Sequence, residues 1–222
     1  MSTPFLPDGE GPRYFGVYPA LVTNIVKEPN GPGRIEVRFP WLGEAGKDVR
    51  ALATLVTPYA DDDQGFEFIP EKDSQVLVAF EAGELRRPYI LGACWNGKAK
   101  LPQRPIEAAN DKRVIKTRSG LTLEFDDTEG ASKVTLRTKN GHQLVLDEGE
   151  NAVTLRHKGG SYVKFEQSGN VTIKANAQLR IQAASVQVQA PSTKATGSVQ
   201  CMAFQATSVS SPVYTQGAGN FW

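Results

Sequence analysis

The fold is decided by a repeat whose first copy reads Thr117-Arg-Ser-Gly-Leu-Thr-Leu-Glu-Phe-Asp-Asp127. The same pattern returns as Thr138-Lys-Asn-Gly-His-Gln-Leu-Val-Leu-Asp-Glu148 and as His157-Lys-Gly-Gly-Ser-Tyr-Val-Lys-Phe-Glu-Gln167. A second short strand follows each copy, at Val134–Leu136, Val153–Leu155 and Val171–Ile173. A unit of about 20 residues with two strands and two turns is typical of a repeat array. The repeat carries no recurring His, Cys or carboxylate pair, so it specifies a shape and not a catalytic site.

Charge divides the chain into three stretches. Residues 1–110 hold 12 basic and 15 acidic side chains, residues 111–174 hold 11 and 9, and residues 175–222 hold only Arg180 and Lys194. A long β-prone segment without charge aggregates unless its strand edges are already paired. The charge-poor end therefore predicts a closed arrangement, either one chain coiled into a solenoid or several chains wound together.

Apolar and polar residues alternate along the strands, so that each strand has one apolar and one polar face. A solenoid made by one chain of this length would have only a few coils. Three chains around one axis would instead bury the same apolar faces against each other, and we favour this arrangement, mainly because of the resemblance described below. The expected trimer core is Leu121, Leu123, Phe125, Val134, Leu136, Leu144, Leu146, Val153, Leu155, Val163, Phe165, Val171, Ile173, Leu179, Ile181, Val186 and Val188.

The overall charge argues against nucleic acid as a partner. The 222 residues carry 25 basic and 24 acidic side chains, whereas nucleic-acid-binding domains are strongly basic. The two cysteines, Cys94 and Cys201, form neither a disulfide framework nor a zinc-binding pattern. We expect synthesis in the cytoplasm without a signal peptide, because no apolar segment of the required length is present.

The first hundred residues predict a small closed β-barrel of the OB type. Strands are expected at Gly16–Val26, Arg34–Phe39, Arg50–Thr57, Gln75–Phe80 and Pro88–Trp95. Five strands, one of them long enough to bend, suit such a barrel. The expected division is an N-terminal arm at 1–13, an OB-fold domain at 14–100, a linker at 101–116 and a β-helical needle with an uncharged tip at 117–222.

Several motifs of this region occur together in a fixed order. They are Gly33-Arg-Ile-Glu-Val-Arg-Phe-Pro-Trp-Leu42, Phe68-Ile-Pro70 before Gln75-Val-Leu-Val-Ala-Phe-Glu81, Arg86-Arg-Pro-Tyr-Ile-Leu-Gly92 and Trp95-Asn-Gly97. Together they resemble the OB-fold of the phage baseplate assembly protein V and type VI secretion spike superfamily. The turn Pro70–Ser74 departs from the family pattern because it lacks a glycine. The repeat and its uncharged end resemble the trimeric β-helical needle of that family.

The resemblance implies an all-β central spike at the tip of a contractile machine, which is a phage tail, a tailocin or an extracellular injection particle. The spike would be a homotrimer that plugs the tube and punctures the target envelope, touching the membrane only transiently. A baseplate hub protein would bind the OB-fold end, because the chain lacks the large hub domains of fused relatives. A PAAR-like tip protein would bind at Phe221 and Trp222. After assembly in the cytoplasm the protein would lie at the tail tip of the virion or particle.

Other polar residues predict no active site. Asp61–Asp63 is a candidate metal cluster, but adjacent acids beside a glycine usually form a solvated turn. His142 and His157 have no second ligand at metal-binding spacing, and the His-x-His tip motif of some relatives is absent. The linker at 101–116 is too short for a peptidoglycan-cleaving domain with two positioned carboxylates. We therefore expect a non-enzyme with no catalytic residue, cofactor or metal.

Two other functions stay open. An OB-fold can bind oligonucleotides or sugars on one face, where Trp41, Tyr59, Phe66 and Phe68 could form a stacking platform. A trimeric β-helix can also serve as a fibre adhesin, although such a protein would be expected to end in a globular head.

Overall fold

The computed structural model describes residues 12–26, 33–43, 48–102, 108–208 and 210. This part of the chain is all-β apart from a single 3-10 turn at Glu81–Gly83. Among these residues there is accordingly no helix of the length and apolarity needed to cross a bilayer.

Seven strands lie in the N-terminal region: β1 (Tyr18–Asn24), β2 (Ile35–Arg38), β3 (Arg50–Leu55), β4 (Ala60–Asp61), β5 (Gln64–Gly65), β6 (Gln75–Phe80) and β7 (Pro88–Ala93). Five of them close into a barrel in the order β1-β2-β3-β7-β6, while β4 and β5 form a separate hairpin. Neighbouring barrel strands are antiparallel except β3 and β7, which are parallel. The predicted five-stranded closed barrel is confirmed.

Strict alternation places the barrel core. In β2, Ile35 and Val37 are at most 1% exposed, and the polar residues between them point outward, as period-two strands require. Trp41 closes one side of this core, because its ring stacks on Tyr18 at 4.6 Å between centroids. Its indole Nε1 donates a hydrogen bond of 2.8 Å to the carbonyl of Pro19. Trp41 therefore packs against the barrel core, which argues against its use in the alternative stacking platform.

The repeat region forms a seven-stranded antiparallel sheet in which each strand pairs with the next along the chain. Its strands are β8 (Lys112–Lys116), β9 (Thr122–Asp126), β10 (Lys133–Arg137), β11 (Gln143–Asp147), β12 (Ala152–Arg156), β13 (Tyr162–Phe165) and β14 (Val171–Lys174). The pairs run without a register shift. The sheet begins at Lys112, five residues before the first repeat copy, within the segment expected to be a linker.

One turn recurs between the strands and keeps the register constant. Gly120, Gly141 and Gly160 have φ of +87°, +95° and +90°, a left-handed conformation that glycine adopts without strain. The Gly141 N–H donates to the Thr138 carbonyl at 3.1 Å, and the Thr138 N–H donates to the His142 carbonyl at 3.0 Å. A three-residue hairpin loop ending in left-handed glycine joins antiparallel strands with a fixed offset.

The two outer strands of the sheet differ in charge. Three of the five residues of β8 are basic, namely Lys112, Arg113 and Lys116. By contrast, β14 carries a single charge, Lys174, at its end.

Residues 177–222 form a second unit of the chain. Its described residues, 177–208 and 210, contain no strand. The strands expected around Leu179–Ile181 and Val186–Val188 are therefore absent from the single chain, and these apolar side chains are exposed. An isolated alternating segment has no neighbour to bond its backbone N–H and C=O groups. Phe221 and Trp222 lie outside the described residues.

Candidate assembly interface

One face of the seven-stranded sheet is almost entirely apolar. The strand register aligns its side chains into two ladders that run across the sheet. The first ladder is Ile115, Leu123, Leu136, Leu144, Leu155, Val163 and Ile173; the second is Phe125, Val134, Leu146, Val153, Phe165 and Val171. We call these thirteen residues the apolar face.

The apolar face is open in the single chain. Leu155 and Ile173 are both 58% exposed and Phe165 is 52% exposed, whereas the barrel core is sealed. Monomeric proteins rarely expose a continuous apolar patch of this extent, and such patches mark contact sites. A sheet with one uncovered apolar face is half of a two-layer structure.

The structure gathers most of the predicted core residues on this face. Leu121 precedes β9 and is 46% exposed, while Leu179, Ile181, Val186 and Val188 lie in the unit without strands. Ile115 also lies on this face, although the sequence pattern does not predict it, because the basic residues of β8 conceal its alternation. The signal that identifies it is its place in β8: Ile115 alternates with Val114 and Lys116, and it pairs with Leu123, which is on the apolar face.

The opposite face is polar, and its charged side chains form ion pairs and hydrogen bonds with neighbouring residues. Lys164 lies 3.7 Å from Glu150 and 3.6 Å from Glu166. Asp126 accepts hydrogen bonds from the Thr128 hydroxyl at 2.6 Å and from the Thr128 backbone N–H at 3.2 Å. These bonds hold the pKa of Asp126 below its ordinary value, since they stabilise the ionised carboxylate. This face is suited to water and the apolar face is not.

His142 and His157 lie side by side, although their sequence spacing does not suggest it. Their ring centroids are 4.6 Å apart, because the hairpin pairs Gln143 with Arg156 immediately inside them. The Nδ1 atom of His157 accepts the Gly159 N–H at 3.0 Å, and that of His142 accepts the Lys158 N–H at 3.5 Å. With Nδ1 accepting in both rings, the proton of each neutral ring is on Nε2.

The described residues contain no cluster of three His, Cys, Asp or Glu side chains arranged to hold a metal ion. Asp61–Asp63 occupies the turn of the β4–β5 hairpin. The Asp62 N–H donates to Asp61 Oδ1 at 2.8 Å, and Asp63 has φ of +53°. Both features are those of a tight turn, in which aspartate tolerates the left-handed conformation.

The same hairpin exposes an aromatic pair. The rings of Phe66 and Phe68 are stacked with centroids 6.2 Å apart, and both are largely exposed. The hairpin turn Asp61–Asp63 and Glu67 give this surface a negative charge. Acidic surroundings repel phosphates, so the surface is suited to an apolar protein contact better than to a nucleic acid.

Comparison with known proteins identifies the barrel. No protein of curated function matches the sequence significantly. Residues 18–95 match the family described as the type VI secretion system/phage-baseplate injector OB domain. The match runs from the start of β1 to just beyond β7 and so covers every strand of the barrel. The N-terminal barrel of this chain is therefore an OB domain of the type VI secretion and phage-baseplate injector family.

Proposed function

We propose that the chain is the central spike of a contractile tail or injection apparatus, and that it works as a homotrimer that plugs the tube and pierces the target envelope. The observation that carries this proposal is the apolar face, which is open in a chain that begins with an injector OB domain. The family is one of structural components, and the role proposed for this chain is mechanical, not catalytic.

The dimensions of the sheet favour three copies. A strand of five residues, such as β9, is about 17 Å long at ~3.3 Å per residue. Three walls of that width enclose a triangle whose centre is about 5 Å from each wall, half of the ~10 Å at which facing sheets pack. In a square of four such walls the centre would be about 8.5 Å from each wall. That exceeds half of the ~10 Å packing distance, so the axis would be hollow. Two sheets face to face also pack, so a dimeric sandwich is the competing arrangement.

Closing the apolar faces around one axis would give a stiff shaft. Seven strands at ~4.8 Å spacing make each wall about 30 Å tall. Apolar burial contributes about 25 cal/mol per Å². Because each wall is buried against two others, one chain cannot leave without exposing the apolar faces of both neighbours.

The ends of the spike are proposed to bind different partners. At the barrel end, the exposed pair Phe66 and Phe68 offers an apolar contact for a baseplate hub protein. At the C-terminal end, Phe221 and Trp222 would gather into a platform for a PAAR-like tip protein. Once assembled, the particle would carry the protein at its tail tip.

The native mass of the purified protein tests the proposal. Native mass spectrometry at low micromolar concentration should report three chains of 24.1 kDa each. A folded monomer or a dimer would overturn the trimer. Copy number in the assembled particle then separates a spike from an adhesin, since a spike is present as three copies on the axis and an adhesin as more copies at the periphery.

A further inference from the structure

The two edges of the seven-stranded sheet, where the strands turn, have opposite charge. We call residues 111–113, 126–133, 147–152 and 166–170 the acidic edge. We call residues 116–122, 137–143, 156–162 and 174–176 the basic edge. Because every connection is a hairpin between neighbouring strands, successive turns fall on alternate edges and never mix.

The separation of charge is complete on the basic edge and partial on the acidic edge. The acidic edge carries eight acidic and three basic side chains, and the basic edge carries seven basic side chains and no acidic one. The charge recurs at successive turns of the same edge. On the basic edge, for example, each of the three turns carries one basic residue: Arg118, Lys139 and Lys158. Alternation along a strand distributes side chains between the two faces of the sheet. It does not explain a difference in charge between the two edges, so this difference is a separate feature of the sequence.

Part of this charge is unpaired within the chain. Among the described residues, no ion pair forms to Lys139 or Lys158 on the basic edge, or to Glu129 or Glu148 on the acidic edge. All four side chains are exposed. Arg118 differs, because it reaches Glu71 of the barrel at 3.0 Å.

The basic edge is also concave. A groove of about 470 Å³ runs between its first two turns, lined by Lys116, Arg118, Arg137 and Lys139 among others. A protruding acidic turn has the shape and the charge to enter such a groove.

Symmetry decides which edges meet. If copies are related by rotation about an axis along the direction in which the strands stack, the acidic edge of each copy adjoins the basic edge of the next. If two copies instead pack after rotation about the strand direction, each edge meets its own kind. Like charges facing each other at an interface suppress that arrangement. The edge charges therefore favour the parallel arrangement of copies over the antiparallel one.

We propose that the acidic edge of one chain docks against the basic edge of a second copy, and that this seam holds all chains of the spike parallel. The inference rests on the trimer proposed above and adds to it the contacting edges and the orientation. An interface that joins two different edges is heterologous, and it closes into a ring when the rotation between copies is one third of a turn, as in the proposed trimer. All barrels then lie at one end of the particle.

Charge reversal tests the seam. The first variant, Lys139→Glu with Lys158→Glu, makes the basic edge acidic at two turns. The second, Glu129→Lys with Glu148→Lys, makes the acidic edge basic at two turns. The third variant combines all four substitutions, and the control changes two exposed barrel lysines, Lys72→Glu and Lys98→Glu. Each protein is refolded from urea over a series of protein concentrations centred on the low micromolar range, and its native mass and trimer yield are measured at each concentration.

The first and second variants should each raise the concentration needed for half-assembly by about tenfold or more, while the third variant and the control should assemble as the unaltered protein does. Assembly of all variants with equal yield would overturn the seam and leave the trimer standing. Sensitivity to the basic-edge change alone would also overturn it, and would point to an anionic ligand at that edge. A monomeric unaltered protein would overturn the trimer and the seam together.

Discussion

Replacing Ile173 with Asp should abolish assembly while the single chain still folds. Ile173 is 58% exposed, so about two fifths of its surface is covered in the single chain. Full burial of an isoleucine is worth about 1.5–3 kcal/mol. Losing the covered part therefore costs the isolated chain only about 1 kcal/mol.

The cost in the proposed trimer is much larger. Three carboxylates would converge on one axis, and the effective penalty for burying an unpaired ion is several kcal/mol each. The total is on the order of ten kcal/mol, roughly ten times the cost to the isolated chain. Thr172→Asp is the matched control, because it places the same charge one residue away on the polar face. There it faces Lys164 across the strand pair, a favourable cross-strand contact.

Light scattering at low micromolar concentration reads the assembly state, and urea unfolding followed by circular dichroism reads the stability of the single chain. The expected result is a folded, unassembled Ile173→Asp protein beside a trimeric Thr172→Asp protein. Equal assembly of the two variants would refute the reasoning, because it would show that the apolar face is not buried between copies.

Three further outcomes are expected. Ile35→Ala removes a sealed core side chain of the barrel and should lower the free energy of unfolding by about 2–5 kcal/mol, measured by denaturant titration. Thr128→Val removes a bond that lowers the pKa of Asp126, so the variant should be less stable at neutral pH. The difference should shrink as the pH falls from about 4, the ordinary pKa of an aspartate, through the lower pKa of Asp126 in the folded unaltered protein; a difference that persists in stronger acid would contradict this origin. Deleting residues 220–222 should leave the trimer intact and abolish capture of a co-expressed PAAR-like protein, and unchanged capture would argue against the tip platform.

The sequence predicts the strands of the repeat region well because local signals agree there. Turn glycines such as Gly141 fix the hairpin geometry, and the hairpin fixes the register. Alternation then assigns each side chain to a face, which is why residues from Leu123 to Ile173 were placed together from the pattern alone. The barrel was predictable for the same reason, through the alternation of strands such as β2.

The rest depends on contacts between residues distant in sequence. Trp41 packs against the core, with Tyr18 stacked on its ring. The sequence alone shows an aromatic residue that could stack on a ligand, but it does not show this contact with Tyr18. His142 and His157 meet through strand pairing, which ligand-spacing rules do not consider. Residues 177–208 alternate as strands do, yet strands also require a hydrogen-bonding neighbour, and the single chain offers none.

The unequal outer strands imply an order of folding. Charged residues along β8 discourage another strand from pairing there, whereas β14 leaves its outer backbone groups on a strand with little charge. The sheet is made of hairpins, and local contacts of this kind form fast. We therefore expect the hairpins to form first within each chain, and new strands to be added only beyond β14. If three chains assemble as proposed, residues 177–208 would then pair in order along the chain, after the three sheets have met.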